Sequence, residues 1–167
     1  MTDHPITSVT EINWDPLRAR TAAKGLPMAG IDYLAAMMNG KLPPPRIAGL
    51  MQLDATTLAP GRVVFTCTPD ESMYNATGTI HGGVVCTLLD TVTGCALLST
   101  LPQGRGIMSI EIKVNYLNAV HPSSGPLNAT GSVVKAGSRL GFTEGVVTNA
   151  NGDAVATATS TLLILDV

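Results

Sequence analysis

The spacing of hydrophobic residues changes along the chain, and each spacing predicts a different element. Residues 30–40 carry apolar side chains at every third or fourth position, which predicts a short amphipathic helix that the prolines at 43–45 end. Residues 47–58 and 62–69 are typical of two strands joined by a tight turn. Residues 83–98 are apolar almost all round a helical wheel, which predicts a long buried helix.

Only strand patterns follow this helix. Apolar and polar residues alternate over 108–116, 127–135, 140–149 and 155–165. In the first of these strands the expected apolar face consists of Met108, Ile110, Ile112, Val114 and Tyr116. Many strands beside one buried helix predict an α+β fold, in which an antiparallel sheet wraps around that helix.

The length of 167 residues fits one domain. We expect a folded domain over residues 30–167, preceded by an N-terminal arm over residues 1–29. Hydrophobic residues make up 45% of the chain and charged residues only 13%, so a sizeable core is expected. The 10 Lys and Arg residues do not outnumber the 12 Asp and Glu residues, and aromatic residues are scarce. Nucleic-acid binding is therefore not expected.

The cysteines and histidines show no metal-ligand spacing. Cys67, Cys86 and Cys95 lack a CxxC pair, and the three histidines lie far apart, so we expect neither a metal nor a separate cofactor. No apolar leader or membrane-length apolar run is visible in the sequence. A cytoplasmic protein without membrane contact is the expectation.

The sequence His81-Gly82-Gly83 stands where the long helix begins. The first amides of a helix have no partner within the helix, and they lie at the positive end of its dipole. Glycine adds close access to the backbone. These properties favour a site that stabilises an oxyanion. The alternative is that the two glycines only ease entry of the chain into the helix.

Asp90 is a carboxylate in the middle of an otherwise apolar helix. Such a group is costly to bury without partners. Thr87 or Thr91, one turn away, could satisfy it. However, Gly83, Thr87, Asp90, Thr91 and Gly94 form a stripe of small or polar residues. This stripe leaves room for a ligand or for a neighbouring subunit.

The spacing of the two candidate groups constrains how they act together. Gly82 and Asp90 lie eight residues apart, which is about 12 Å along a helix. A carbonyl held by the Gly82 amide is out of easy reach of Asp90 in the same chain. If both groups serve one substrate, Asp90 comes from a second protomer. We therefore expect a homodimer with shared active sites.

The pattern Asn75, His81-Gly82-Gly83 and Asp90 resembles the motif of hot-dog-fold thioesterases of the phenylacetic-acid-degradation (PaaI-like) family. Weaker similarity extends to residues 40–45, 135–144 and 151–153, and the resemblance covers about residues 30–166. It implies a hot-dog fold, acyl-CoA thioesterase activity with coenzyme A as part of the substrate, and a pairing of dimers into a tetramer. The acyl group is not readable.

The resemblance also implies roles for the motif residues. Asn75 would hydrogen-bond the thioester carbonyl or the attacking water. The Gly82 amide would polarise the carbonyl with help from Gly83, while His81 would shape the loop and bond Asn75. Asp90 would act as a general base, or as a nucleophile through an anhydride. Other hot-dog thioesterases carry Glu at this position, and the shorter Asp favours activation of water.

Further candidates come from the flanking segments. Ser109 resembles a residue that orients the water in some members, although a serine on the polar face of a strand is the commoner case. Thr87, Lys135, Gly137 and Arg139 are candidate contacts for the substrate, with the basic pair facing the coenzyme A phosphates. Solvated charges at strand ends are the alternative for Lys135 and Arg139.

Two other functions stay open. One is a hot-dog dehydratase or hydratase, which usually pairs a histidine with an acid. His81 and Asp90 are nine residues apart on one element, which disfavours this pairing. The other is an acyl-CoA sensor without catalysis. A sensor would be expected to lack the carboxylate and to carry a DNA-binding arm, but Asp90 is present and the first 45 residues contain few basic ones.

Overall fold

The computed structural model describes residues 28–167, apart from the side chain of Pro122. Its helices are α1 (Gly30–Met38), α2 (Arg46–Leu50) and α3 (Gly82–Leu98). Its strands are β1 (Leu53–Ala59), β2 (Arg62–Cys67), β3 (Arg105–Tyr116), β4 (Leu127–Ala136), β5 (Leu140–Thr148) and β6 (Ala154–Asp166). Short 3₁₀ turns occupy Glu71–Met73 and Pro122–Ser124. The expected N-terminal arm lies almost entirely outside the described residues.

The six strands form one antiparallel sheet in the order β1-β2-β4-β5-β6-β3. Helix α3 packs against five of these strands, β2 to β6. The predicted α+β architecture, a sheet around one long helix, is confirmed. Among residues 28–167, strands β1 and β3 are the edges of the sheet, and β6 is the one strand hydrogen-bonded to β3. No helix among residues 28–167 is both long and apolar enough to cross a membrane.

The predicted strand over 47–58 is wrong in its first part, because residues 46–50 form α2. Pro45 stands just before this helix with φ of −62°, and Ile47 and Leu50 lie three residues apart as on one helical face. Helical spacing and strand alternation are hard to distinguish in so short a segment. The strand begins only at Leu53.

Glycines in the sheet allow α3 to lie close to it. A Cβ on Gly131 would come within 2.1 Å of the Val92 carbonyl oxygen, and a Cβ on Gly141 within 2.3 Å of the Leu97 side chain. The helix fills this space with Leu88, Leu89, Val92 and Leu97, all fully buried. One face of the helix is therefore fixed against the sheet by tight packing.

Among residues 28–167, the other face of α3 is left uncovered. The apolar wheel predicted a long buried helix, with a stripe of small and polar residues left for a ligand or a neighbouring subunit. In the structure His81, Gly83 and Asp90 are exposed, and Thr87 and Thr91 are half-buried. The sheet covers only one side, so the polar stripe faces outward. The many apolar residues of α3 thus reflect its close contact with the sheet, and they do not mean that the helix is enclosed on every side.

Strand β3 departs from the predicted alternation. The pairing with β6 shifts between Ser109 and Glu111, which marks a β-bulge at Ile110. Ile112 and Val114 pack on the core as expected. However, Met108 and Ile110 are 56% and 54% exposed. The extra residue changes which face the first half of the strand presents.

Candidate active site

His81 caps the N-terminus of α3. Its Nδ1 accepts a hydrogen bond of 2.9 Å from the Gly83 amide, and its carbonyl accepts one of 2.9 Å from the Val84 amide. The His81 amide in turn donates to the Met73 carbonyl at 2.8 Å, which ties the helix start to the preceding loop. The Gly82 amide has no acceptor within the described part of the chain. It is therefore the donor available to a ligand at the helix N-terminus.

The Gly83 amide is engaged by His81 and does not point to an open position. The helping role that the resemblance implies for Gly83 would require this bond to open. The contribution of Gly83 in the structure is space, since a Cβ there would lie 2.9 Å from His81 Nδ1.

Asn75 organises the loop before α3. Its Oδ1 accepts hydrogen bonds from the Thr77 amide at 2.9 Å, the Thr77 hydroxyl at 2.7 Å and the Thr79 amide at 3.2 Å. Its Nδ2 donates to the Thr79 hydroxyl at 2.8 Å. The bond to His81 that the resemblance implies is not formed among the described residues. One of the two Nδ2 hydrogens is left for a ligand.

Asp90 is held by a residue from β3. The Ser109 hydroxyl donates to Asp90 Oδ1 at 2.7 Å, whereas Oδ2 has no partner among residues 28–167. The Thr87 hydroxyl donates to the Gly83 carbonyl at 2.9 Å, and the Thr91 hydroxyl to the Thr87 carbonyl at 2.8 Å. Neither threonine satisfies Asp90, so the carboxylate keeps one oxygen free for water or substrate.

Ser109 reaches Asp90 because of the bulge in β3. Ile107 contacts Gly94 of α3, and Ser109 follows it on the same face of the strand. Strict alternation from Ile112 and Val114 would have directed Ser109 away from the helix. The inserted residue, Ile110, reverses this, which is how a bulge re-aims a side chain.

The residues that were expected to contact coenzyme A do not lie beside Gly82 in the single chain. Lys135, Gly137 and Arg139 are exposed at the end of β4 and in the turn to β5. Gly141, which follows this turn, packs against Leu97 near the C-terminal end of α3. Within one chain, Lys135, Gly137 and Arg139 thus lie near the C-terminal end of α3, whereas Gly82 is at its N-terminal end.

Comparison with known proteins places this geometry in a family. Residues 77–156 match the thioesterase superfamily. Human acyl-coenzyme A thioesterase 13 is 33% identical over 104 residues, which cover 62% of this chain and 71% of that protein. The chain belongs to the thioesterase superfamily. Its identification as a hot-dog thioester hydrolase is confirmed, and its fold is that of the PaaI protein.

Solved structures agree on the fold of this thioesterase. The Escherichia coli PaaI protein from the phenylacetic acid degradation operon aligns with a TM-score of 0.71 over 81% of this chain and 94% of that chain, at 22% identity. The smu.793 protein of Streptococcus mutans, solved bound to acetyl-CoA, aligns with a TM-score of 0.63 over 68% and 89%, at 28% identity.

Two grooves border the start of α3 in the thioesterase. One has a volume of about 250 Å³, and its lining includes Gly82, Tyr116, Ile80, Val85 and Val120. The other has a volume of about 600 Å³, and its lining includes His81, Gly83, Thr87, Met51, Met73 and Leu50. Thr87 thus lines the same groove as His81 and Gly83, and its contact with substrate stays a prediction. Gly82 lines the first groove, and its neighbours His81 and Gly83 line the second.

Tyr116 is a site residue that sequence reasoning missed. It was expected only as the last apolar position of a strand. In the structure its hydroxyl donates to the Gly82 carbonyl at 3.0 Å, and it is 55% exposed. Burial of part of the side chain, followed by the neighbouring Cys86, raises the pKa of Tyr116. No local sequence pattern indicates this contact, because it depends on how β3 lies across the helix.

The thiol beside Asp90 is not a reactive one. Burial, followed by the negative charge of Asp90, raises the pKa of Cys95 to about 12. Burial, followed by Asp70, raises the pKa of Cys67 to about 11. A nucleophilic cysteine needs a lowered pKa. Both thiols are therefore core residues and not candidates for covalent catalysis.

Proposed function

We propose that this thioesterase hydrolyses acyl-CoA thioesters to a carboxylic acid and coenzyme A. The observation that carries the proposal is the exposed Asp90 carboxylate, oriented by Ser109 and with one oxygen unpaired. The human relative is named an acyl-CoA thioesterase, and the Streptococcus mutans structure holds acetyl-CoA. Both names support coenzyme A as the carrier of the acyl group.

In the proposed reaction the thioester carbonyl oxygen accepts a hydrogen bond from the Gly82 amide. Asp90 removes a proton from water as the water oxygen attacks the carbonyl carbon. The negative charge of the tetrahedral intermediate lies next to the helix N-terminus, where the dipole stabilises it. The C–S bond then breaks, and the proton on Asp90 passes to the thiolate of coenzyme A. Asn75 would support the carbonyl or the water through its remaining Nδ2 hydrogen.

Direct attack by Asp90 on the carbonyl is the alternative route. Ser109 holds Oδ1, and the short aspartate side chain leaves only Oδ2 to act. A carboxylate fixed in this way suits the positioning of a water molecule better than the formation of an anhydride with a distant carbonyl. The groove lined by Gly82 and the groove lined by its neighbours His81 and Gly83 offer room for a thioester substrate.

The dimer with shared sites is part of this proposal. Gly82 and Asp90 lie on one helix, about 12 Å apart, so one substrate reaches both only if they belong to two chains. Strand β3 is a 12-residue edge with one neighbouring strand among residues 28–167, and proteins rarely leave such an edge uncovered. Pairing of two β3 edges would bring the two Asp90–Ser109 pairs toward the partner's helix.

Pairing of this kind also gives the basic turn a role. A two-fold axis between two β3 edges makes the two α3 helices antiparallel. The turn with Lys135 and Arg139, at the C-terminal end of one helix, then approaches the Gly82 end of the other. A further pairing of dimers would use the outer face of the sheet, where Phe142 and Val134 are exposed.

A complementation experiment tests the shared site. Asp90→Asn removes the base, and Gly82→Pro removes the amide, so each variant alone should release almost no thiol from acyl-CoA. Co-expressed in equal amounts, they form heterodimers in which one of two sites is intact. Random pairing then restores about a quarter of wild-type activity. Pairing of dimers into tetramers leaves this fraction unchanged.

The outcomes separate the parts of the proposal. No recovery in the mixture, with both proteins folded and dimeric, would place both groups in one chain and refute the shared site. Absence of thiol release by the wild type across short, medium, long and aryl acyl-CoAs would refute the function itself. Ser109→Ala mixed with Asp90→Asn serves as the control, because both changes affect the same end of the site and should not complement.

A further inference from the structure

We propose that Tyr116 is a positioning residue that fixes the Gly82 amide at the carbonyl-binding end of the active site. The inference rests on the proposed function, because it concerns the group that would hold the thioester carbonyl. Tyr116 would not touch the reacting atoms. It would act through the backbone of Gly82.

The contacts between the two residues are close and of two kinds. The Tyr116 hydroxyl donates a hydrogen bond of 3.0 Å to the Gly82 carbonyl. A Cβ placed on Gly82 would lie 3.3 Å from two ring carbons of Tyr116 and 3.4 Å from its oxygen. The ring therefore covers the space that a side chain at position 82 would occupy. The hydroxyl and the ring together restrain this one residue.

The start of α3 needs a restraint from outside the helix. Gly82 and Gly83 are consecutive glycines, the residue with the widest range of backbone conformations. The first turn of a helix also lacks hydrogen bonds to a preceding turn. His81 accepts a hydrogen bond from the Gly83 amide, but no group in the described chain accepts one from the Gly82 amide. An oxyanion donor is effective only when it is aimed before the charge develops.

Tyr116 is suited to this task by its own attachment. It lies at the C-terminal end of β3, in register with Ala156 of β6, so the sheet fixes its backbone. The Tyr116 hydroxyl is protonated at neutral pH, as in any free tyrosine, and the raised pKa of Tyr116 acts in the same direction. Tyr116 and Gly82 both line the groove of about 250 Å³ beside the start of α3.

Strand β3 would then serve both ends of the site. Ser109 in its first half orients Asp90, and Tyr116 at its end orients Gly82. In a shared site, each substrate would lie between the Asp90–Ser109 pair of one chain and the Gly82–Tyr116 pair of the other. Both contacts come from the same strand, so its position relative to α3 sets the geometry of each.

The test compares Tyr116→Phe with Tyr33→Phe in the full-length protein. Tyr33 is a half-buried tyrosine on α1, packed against the cluster that contains Leu34 and Leu97, away from Gly82. Each variant loses one hydroxyl and keeps its ring. We expect Tyr116→Phe to lower kcat about tenfold and to leave KM within about twofold, because the variant loses the orientation of the Gly82 amide and keeps its affinity for the substrate. Tyr33→Phe should change neither.

A spectroscopic measurement distinguishes positioning from general stability. The probe is acetyl-CoA with the thioester sulfur replaced by a methylene group and with a ¹³C-labelled carbonyl. Isotope-edited infrared spectra should show the carbonyl stretch lowered on binding to the wild type, as a hydrogen bond from Gly82 requires. The shift should shrink in Tyr116→Phe and persist in Tyr33→Phe, at equal melting temperatures.

The outcomes separate this inference from the function. A full shift and full kcat in Tyr116→Phe would overturn the role of Tyr116 alone. A wild type that hydrolyses thioesters without any carbonyl shift would overturn the role of Gly82, and this inference with it. A wild type that neither binds the probe nor releases thiol from acyl-CoA would refute the proposed function.

Discussion

Substitution of Gly82 by proline isolates the amide that is proposed to bind the thioester carbonyl. Proline has no amide hydrogen, and the first helical position tolerates it because that amide has no partner in the helix. Gly82 is the first residue of α3. His81 before it has φ of −62° and ψ of 134°, the extended conformation that a residue preceding proline prefers. The backbone thus accepts the change.

The expected loss follows from the removal of one donor. Deletion of one oxyanion donor costs about 10²–10³ in kcat, or about 2.7–4 kcal/mol. Gly82 is half-buried and not enclosed in the single chain, so we expect a value near the lower end, about a hundredfold. Stability should change little, because no hydrogen bond within the described chain depends on this amide.

Gly82→Ala is the matched control. It adds the same Cβ, 3.3 Å from the Tyr116 ring, and keeps the amide hydrogen. Steady-state thiol release gives kcat for both variants, and calorimetry reports whether their melting temperatures agree. Equal kcat in Gly82→Pro and Gly82→Ala, at equal stability, would show that the amide does not bind the reacting carbonyl.

Two further predictions concern the core. Gly131→Ala should lower the free energy of unfolding in urea by about 1–3 kcal/mol, since its Cβ would overlap the Val92 carbonyl. Gly49→Ala is the control, because a Cβ there would have no neighbour within 4 Å. Equal stability of the two variants would refute the packing argument. Stability should also fall as pH rises above about 9, because Cys67 and Cys95, with pKa values of about 11 and 12, keep their protons when folded and lose them when unfolded. The slope should be smaller after replacement of both cysteines by alanine, and an unchanged slope would contradict the prediction.

Periodicity predicted the elements well where they are long. The helix over 83–98 and the strands over 127–135, 140–149 and 155–165 are found within one or two residues of their expected bounds. Short apolar segments were less informative, as α2 shows. For α3 only the stripe of small and polar residues indicated the open face, because a helical wheel records which residues are apolar and not which side the sheet covers.

The candidate site could be assembled from sequence only as far as local spacing reaches. The motif pointed to His81, Gly82 and Asp90, and the helix N-terminus explains why a glycine amide is open there. The resemblance indicated Ser109 only as a residue that orients the water, and its hydrogen bond to Asp90 was not predicted. The contact from Tyr116 to Gly82 was not foreseen, because it depends on the register and direction of β3. Contacts between distant elements carry no local pattern.

The bulge at Ile110 links the orientation of Asp90 to the proposed assembly. If the strand alternated strictly through Ile110, without the bulge, Ser109 would lie on the outer face of β3, and Asp90 would have no partner from the strand. With the bulge, Met108 and Ile110 are left more than half exposed on an edge that no strand among residues 28–167 pairs beyond β6. Exposed apolar residues on an unpaired edge favour association. In the proposed dimer a second copy paired along this edge would cover them and would also supply the other half of each site, so one local irregularity would serve both catalysis and assembly.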